Sequence, residues 1–183
     1  MSQFHSRQSY MDKNYAYFYT ISIHNRLPLL KDDNLKRIII ESWQYLTKEK
    51  MIEIYAYVIM PNHIHLLWNM LGDNGKETPA GSFAKYTAHK FKQYLQQAHP
   101  EILTDFEVNK RDRKYKFWQR DPLAISLSTE NILLQKMEYI HNNPLNGKWH
   151  LCNYPEEYRW SSAAFYISDK DEFGIVKHFR SND

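Results

Sequence analysis

At 183 residues, 43% of them hydrophobic and 15% aromatic, the chain can bury one substantial core, which excludes a disordered polypeptide and argues against a second full domain. A single cysteine, Cys152, excludes an internal disulfide framework and a cysteine-built zinc site, and makes a reducing cytoplasm the expected compartment. No apolar run approaches the ~20 residues of a membrane helix, the N-terminal MSQFHSRQSYMDKNY lacks the apolar stretch of a signal peptide, and the net charge of +3 is only a weak hint of a polyanionic partner.

In chain order, YAYFYTISI (15–23) is aromatic and β-branched and predicts a strand. A helix follows, because Leu35, Ile38, Ile39, Ser42, Trp43 and Leu46 recur at helical spacing, with Asp32 or Asp33 to cap its start. IEIYAYVIM (52–60) predicts a second strand, Pro61-Asn62 a tight turn, and residues 63–70 the returning strand. GDNGKETPAG is a loop that opens a helix from about Ser82 to Ala98, with Ala84, Ala88, Phe91 and Leu95 on one face and Lys85, His89 and Lys92 as a basic stripe beside it.

The segment KRDRKYKFWQR, from Lys110 to Arg120, carries six basic residues against one acid, interleaved with Tyr115, Phe117 and Trp118. A solvated loop has such a composition, and so does a surface for single-stranded nucleic acid, which needs charge for phosphates and flat rings for bases. Within it, KYKFWQ predicts a short strand. A last helix runs from a Ser128 cap, with Glu130 in its first turn, through ENILLQKMEYIHNN to Pro144. The order strand, helix, strand, strand, helix, strand, helix predicts an α+β, ferredoxin-like antiparallel sheet with helices packed mainly on one face. The expected organisation is one catalytic domain over 1–183, with an N-terminal arm at 1–14 and a C-terminal extension from about 163 to 183.

Two histidines stand inside the returning strand, in YVIMPNHIHLLW. Residues i and i+2 of a strand share a face, so His63 and His65 project together while Ile64 points away. Paired neutral imidazoles are a half-site for a divalent cation, and equally what two hydrogen-bonded structural histidines look like. The last helix holds candidate partners. Ile132, Lys136, Tyr139 and Asn143 share one face, and Leu133, Met137 and Ile140 form the apolar face beside it. Tyr139 and Asn143 lie ~6 Å apart along the axis. The phenol is a possible covalent nucleophile, and the amide oxygen a possible ligand for a hard cation such as Mg2+.

YVIMPNHIHLLW, FWQRD, YIHNNPLNGKW and PEEYRWSS, in that order, resemble the REP-associated tyrosine transposases and their insertion-sequence relatives, within the HUH superfamily of single-strand endonucleases. The resemblance runs from about Tyr15 to Ser162. It implies that His63 and His65 hold a metal with Asn143 as third ligand, Mg2+ first and Mn2+ next, and that Tyr139 is the nucleophile. The implied activity cleaves and rejoins single-stranded DNA through a 5′-phosphotyrosine, on hairpin (REP-like) DNA. DNA contacts are then expected at Lys85, Lys92, Arg111, Arg113, Lys114, Lys116, Trp118, Arg120 and Lys136, with HSRQ (5–8) reading bases near a hairpin foot. The expected location is the bacterial cytoplasm, on the nucleoid when bound to DNA. Asn146 and Lys148 match no fixed family pattern, which leaves the DNA sequence open. Relatives include monomers and homodimers with an exchanged tyrosine helix, and the monomer-like arrangement is the expectation here. A domesticated protein that binds hairpin DNA without moving it is the alternative. An unrelated metal hydrolase would need carboxylates near His63 and His65, and the strand has none.

Overall fold

The computed structural model describes residues 11–13, 15–110, 113–147 and 149–181. Its main sheet has four strands in the order β2–β3–β1–β6, all neighbours antiparallel. They are β1 (Ala16–Ser22), β2 (Ile52–Met60), β3 (His63–Met70) and β6 (Leu123–Ser126). The aromatic and β-branched residues of β1 place it in the centre, between β3 and β6. A two-residue turn at Pro61-Asn62 folds β2 onto β3, and the register sets Val58 opposite His65 and Met60 opposite His63. On the other side β1 sets Thr20 opposite His65 and Ser22 opposite His63.

The sheet is covered on both faces. On the first, Tyr17, Tyr19, Ile64, Leu66 and Trp68 join Tyr57 beneath α1 (Asp33–Lys48) and α2 (Pro79–Ala98), where Trp43 packs on Tyr57 and on Phe83 at ring-centre distances of 5.4 and 5.8 Å. Two of the three long helices thus share a face, as expected. The third, α4 (Glu130–Asn142), crosses the opposite face and buries Met137 and Ile140 there. That second face carries Phe18, Thr20, His63 and His65.

Local signals place most helix ends. Asp32 caps α1 by accepting from the Asn34 N–H at 2.8 Å. α2 begins at Pro79, earlier than expected, because Thr78 caps it through the Gly81 N–H and proline is suited to the first helical position. Its buried ridge is Phe83, Thr87, Phe91 and Leu95, with Ala84 and Ala88 only flanking. The phenyl rings offer far more apolar area than alanine methyls, so they set which side faces inward. The α4 cap is Thr129, which accepts from the Ile132 N–H, one residue after the expected Ser128.

The strand expected at KYKFWQ is only partly one. β4 (Glu107–Lys110) and β5 (Arg113–Tyr115) make a separate hairpin that follows the short α3 (Pro100–Thr104). The fourth main-sheet strand is instead β6, which sequence periodicity did not single out. Phe117 and Trp118 turn inward between the two. Trp118 is 8% exposed, packs on Phe83 and Phe91 at 5.7 Å, and donates from Nε1 to the Thr87 hydroxyl at 2.9 Å. The expectation that Trp118 stacks on DNA bases is therefore corrected: its ring is core.

Beyond α4 the chain runs beside the open edge of β2. The Ile59 N–H donates to Trp160 O, the Ser162 N–H to Tyr57 O, and the Lys177 N–H to Ile54 O. After α5 (Ala163–Ser168), Val176 bridges Ile54 in parallel, so the expected C-terminal extension shields this edge from pairing with another strand. No helix among the described residues is long and apolar enough to cross a membrane. Trp118→Ala is expected to destabilise the protein by about 3–5 kcal/mol, as for other buried aromatic truncations, measured by denaturant unfolding.

Candidate active site

Each histidine of β3 is held through its Nδ1. Asn62 is 4% exposed, and its Nδ2 donates to Arg26 O at 3.1 Å, so its Oδ1 faces His63. That oxygen can only accept, and it sits 2.7 Å from His63 Nδ1. The proton is thereby assigned to Nδ1, leaving a lone pair on Nε2. His65 Nδ1 lies 2.7 Å from the Thr20 hydroxyl across the β1–β3 pairing. Its Nε2 is buried with no hydrogen-bond partner, a costly state for a polar atom unless a ligand completes it. The ring centres are 4.7 Å apart.

Burial holds both imidazoles neutral. It pushes His63 down to about 4, helped by the Arg26 charge and opposed by a hydrogen bond to Asn143. It pushes His65 down to about 3, with His63, Arg26 and Lys136 adding in the same direction. A neutral ring with its proton on Nδ1 and its Nε2 lone pair free is the form that binds a cation; Asn62 fixes that form for His63, and His65 takes it when its Nδ1 donates to the Thr20 hydroxyl.

α4 lies over this pair. Tyr139 is 50% exposed, with its ring edge-on to His65 at 5.2 Å and to Phe18 at 5.9 Å. Lys136, one turn earlier, holds its ammonium 5.0 Å from the centre of the Phe18 ring. Asn143 ends the helix before Pro144 and reaches His63. His63, His65, Tyr139 and Asn143 line one open cleft of about 730 Å³, together with Thr20, Arg26, Gln135 and Glu138. The tyrosine and the histidines come from the same chain. Among the described residues no three His, Cys, Asp or Glu side chains converge on a metal position, and the candidate donors that meet here are two imidazoles and the Asn143 amide. Such a mixed nitrogen and oxygen set fits a divalent cation.

Sequence reading missed Thr20, Arg26 and Asn62. Asn62 had a signal, since it directly precedes His63 in the turn. Thr20 had none, because only the strand register brings it to His65.

The basic residues are more dispersed. Lys85 pairs with Glu77 at 2.6 Å on exposed surface. Lys92 and Lys114 flank the Tyr115 ring at 5.7 and 5.3 Å, and Lys114 also meets Glu107. α2, which carries Lys85 and Lys92, packs on the sheet face opposite the histidines. Lys116 joins the hairpin to Phe106 through its backbone, and Arg120 is exposed next to Gln119, whose N–H donates to Ser22 O beside His63. Of the expected DNA contacts whose side chains are described, Lys136 is the one whose charge reaches the histidines, from beside Phe18. Arg111, the HSRQ segment and Lys148 lie outside the described residues, as does the side chain of Arg113.

The family described as "Transposase IS200 like" matches residues 12–143. The chain belongs to that family. A solved REP-associated tyrosine transposase bound to a REP hairpin superposes on the transposase with a TM-score of 0.64 at 17% identity, covering 100% of this chain and 98% of that one. The two share a fold. A second solved structure, of a putative transposase from Deinococcus radiodurans R1, has a TM-score of 0.42 and 20% identity over 75% of this chain and 95% of its own. No curated protein matches the sequence.

The buried neutral imidazoles make the metal-free transposase acid-sensitive. His63 and His141 are depressed to about 4 and His65 to about 3, all led by burial, against about 6.5 in an unfolded chain. Between these values the unfolded chain binds more protons, so their contribution to stability is complete above 6.5 and is lost as pH falls toward 4. Thermal melts of the metal-free protein should show Tm falling over that window, less steeply in His65→Gln. Identical slopes in the two proteins would contradict a buried neutral His65.

Proposed function

We propose that this transposase cleaves and rejoins single-stranded DNA through a covalent 5′-phosphotyrosine on Tyr139, acting on hairpin DNA of the REP-like kind. The observation that carries the reading is the half-exposed Tyr139 ring 5.2 Å from His65, whose Nε2 is buried without a partner. The chemistry of the relative's ligand, a REP hairpin, supports the substrate.

The Tyr139 phenol gives up its proton and its oxygen bonds to phosphorus. The bond from phosphorus to the 3′-oxygen breaks, and that oxygen takes up a proton as a free 3′-hydroxyl. One phosphodiester is exchanged for another, so an incoming 3′-hydroxyl can reverse the step and join a new strand without ATP. His63, His65 and Asn143 would hold the divalent cation, Mg2+ first and Mn2+ next, which when bound withdraws negative charge from a non-bridging phosphate oxygen. Asn62 and Thr20 keep the two Nε2 atoms turned to it. The Lys136 ammonium, beside Phe18, adds positive charge on the side from which Tyr139 approaches. Lys85, Lys92, Lys114, Lys116 and Arg120, with Arg111 and Arg113, contact the DNA backbone away from the scissile phosphate. The reading adopted is the monomer-like arrangement, in which Tyr139 serves the histidines of its own chain.

Labelled single-stranded hairpin DNA incubated with the protein and Mg2+ tests this. A denaturant-stable adduct is expected from the wild type and none from Tyr139→Phe. His63→Ala and His65→Ala should lower its rate by about 10²–10³-fold while leaving hairpin binding in place. A wild type that binds REP-type hairpins yet forms no adduct would leave a DNA-binding protein without strand transfer.

A further inference from the structure

Two of the motifs, YIHNNP and YRWSS, meet inside the protein at a point the cleavage chemistry does not use. His141 and Ser162 are 9% and 2% exposed, and neither lines the cleft. His141 follows Tyr139 by two residues, about 200° around the helix, so the two side chains leave α4 on opposite flanks. His141 Nε2 stands 2.9 Å from Ser162 Oγ. Ser162 is in turn locked to β2 twice, its N–H donating to Tyr57 O at 3.0 Å and its Oγ accepting from the Tyr57 N–H at 2.9 Å. The bond is made with either tautomer: the hydroxyl donates to His141 Nε2 at 2.9 Å, or Nε2–H donates to Oγ while the hydroxyl donates to Tyr57 O at 3.4 Å. Tyr57 pairs with Leu66 on β3, and its neighbour Val58 with His65.

We propose that His141 and Ser162 are a positioning pair that fixes the Tyr139 helix along its own axis relative to the histidine strand, through one serine hydroxyl. The proposal rests on Tyr139 as the nucleophile. Among the described residues its other ties differ in kind: Asn143, just past the end of the helix, reaches His63, and the rest are apolar or exposed. Met137 and Ile140 make apolar contacts, which are non-directional and tolerate sliding. The Arg180–Glu130 pair at the start of α4 is exposed on both sides and weakly holding. The His141–Ser162 bond is buried and directional. The His141 ring also packs on Tyr166 at 5.5 Å, and the Tyr166 hydroxyl donates to Tyr55 O, so α4 meets β2 at two points two residues apart. An error of about 1 Å in a reacting group can lower a rate by about 10²-fold, so this one bond has leverage on the reaction.

The test compares single-turnover adduct formation and hairpin Kd in wild type, His141→Gln, His141→Asn, His141→Leu, Ser162→Ala and the His141→Leu/Ser162→Ala double variant. The glutamine amide can reach the Nε2 position, whereas the asparagine amide stops near Nδ1. We expect the rate to fall about 10- to 10²-fold in the asparagine, leucine and alanine variants, with Kd changed by less than about twofold. Glutamine should restore most of the rate, and the double variant should be no slower than its slower parent. Because the glutamine and asparagine variants are both small polar replacements, their difference survives even if leucine or alanine prevents folding. Equal rates in glutamine and asparagine, or a loss of rate matched by a loss of binding, would overturn the proposal in favour of a purely structural bond. A wild type without any adduct would overturn the nucleophile itself and the positioning role with it.

Discussion

Two imidazoles side by side on an interior strand, His65 buried and His63 half-buried, are the constraint around which the site is organised. Burial first, and nearby positive charge after it, drives both well below the ordinary histidine range, so the neutral form of each is favoured and its one proton has to be placed. Asn62 and Thr20 settle the Nδ1 atoms from two directions, one from the turn and one from β1. What is left over is a pair of Nε2 positions under the tyrosine helix. The His65 Nε2 is buried without a hydrogen-bond partner, and its ring lines the cleft beside His63, Asn143 and Tyr139.

The distribution of helices over the two sheet faces follows from the same arrangement. α1 and α2 seal the first face with Trp43, Phe83 and Phe91, an interior of aromatic rings that also absorbs Phe117 and Trp118. The second face cannot be sealed in that way without covering the imidazoles. It is instead crossed by a single helix that buries Met137 and Ile140 while leaving Tyr139 half in solvent. The open β2 edge is then closed by the chain that follows α4, and this brings Ser162 to His141. Stability of the edge and placement of the tyrosine thus share the same few residues.

Charge is arranged less locally than composition suggests. The stretch from Lys110 to Arg120 has the make-up of a nucleic-acid surface, yet Phe117 and Trp118 belong to the core. Its described lysines sit on a hairpin beside α2, with Lys92 and Lys114 about Tyr115. Among the described residues, Arg26 and Lys136 are the positive side chains felt by the His65 ring. The proposed division of labour is therefore a distant basic surface for the DNA backbone and a small positive neighbourhood at the scissile phosphate.

By itself the sequence determined the local, periodic and chemical features of this transposase. Strand alternation put His63 and His65 on one face, helical spacing put Tyr139 one turn before Asn143, and Asp32 and Pro144 marked helix ends, because each depends on residues a few positions apart. It also carried the family, through motifs whose order is itself linear information. Tertiary structure decided what depends on distant pairing. The register of β1 on β3 brought Thr20 to His65, the larger side chains of Phe83 and Phe91 set which side of α2 is inside, and β6, not the strand expected at KYKFWQ, became the fourth strand of the sheet. Trp118 shows the reason most plainly: a tryptophan among lysines has the same composition whether its ring faces a base or Phe91, and only packing chooses.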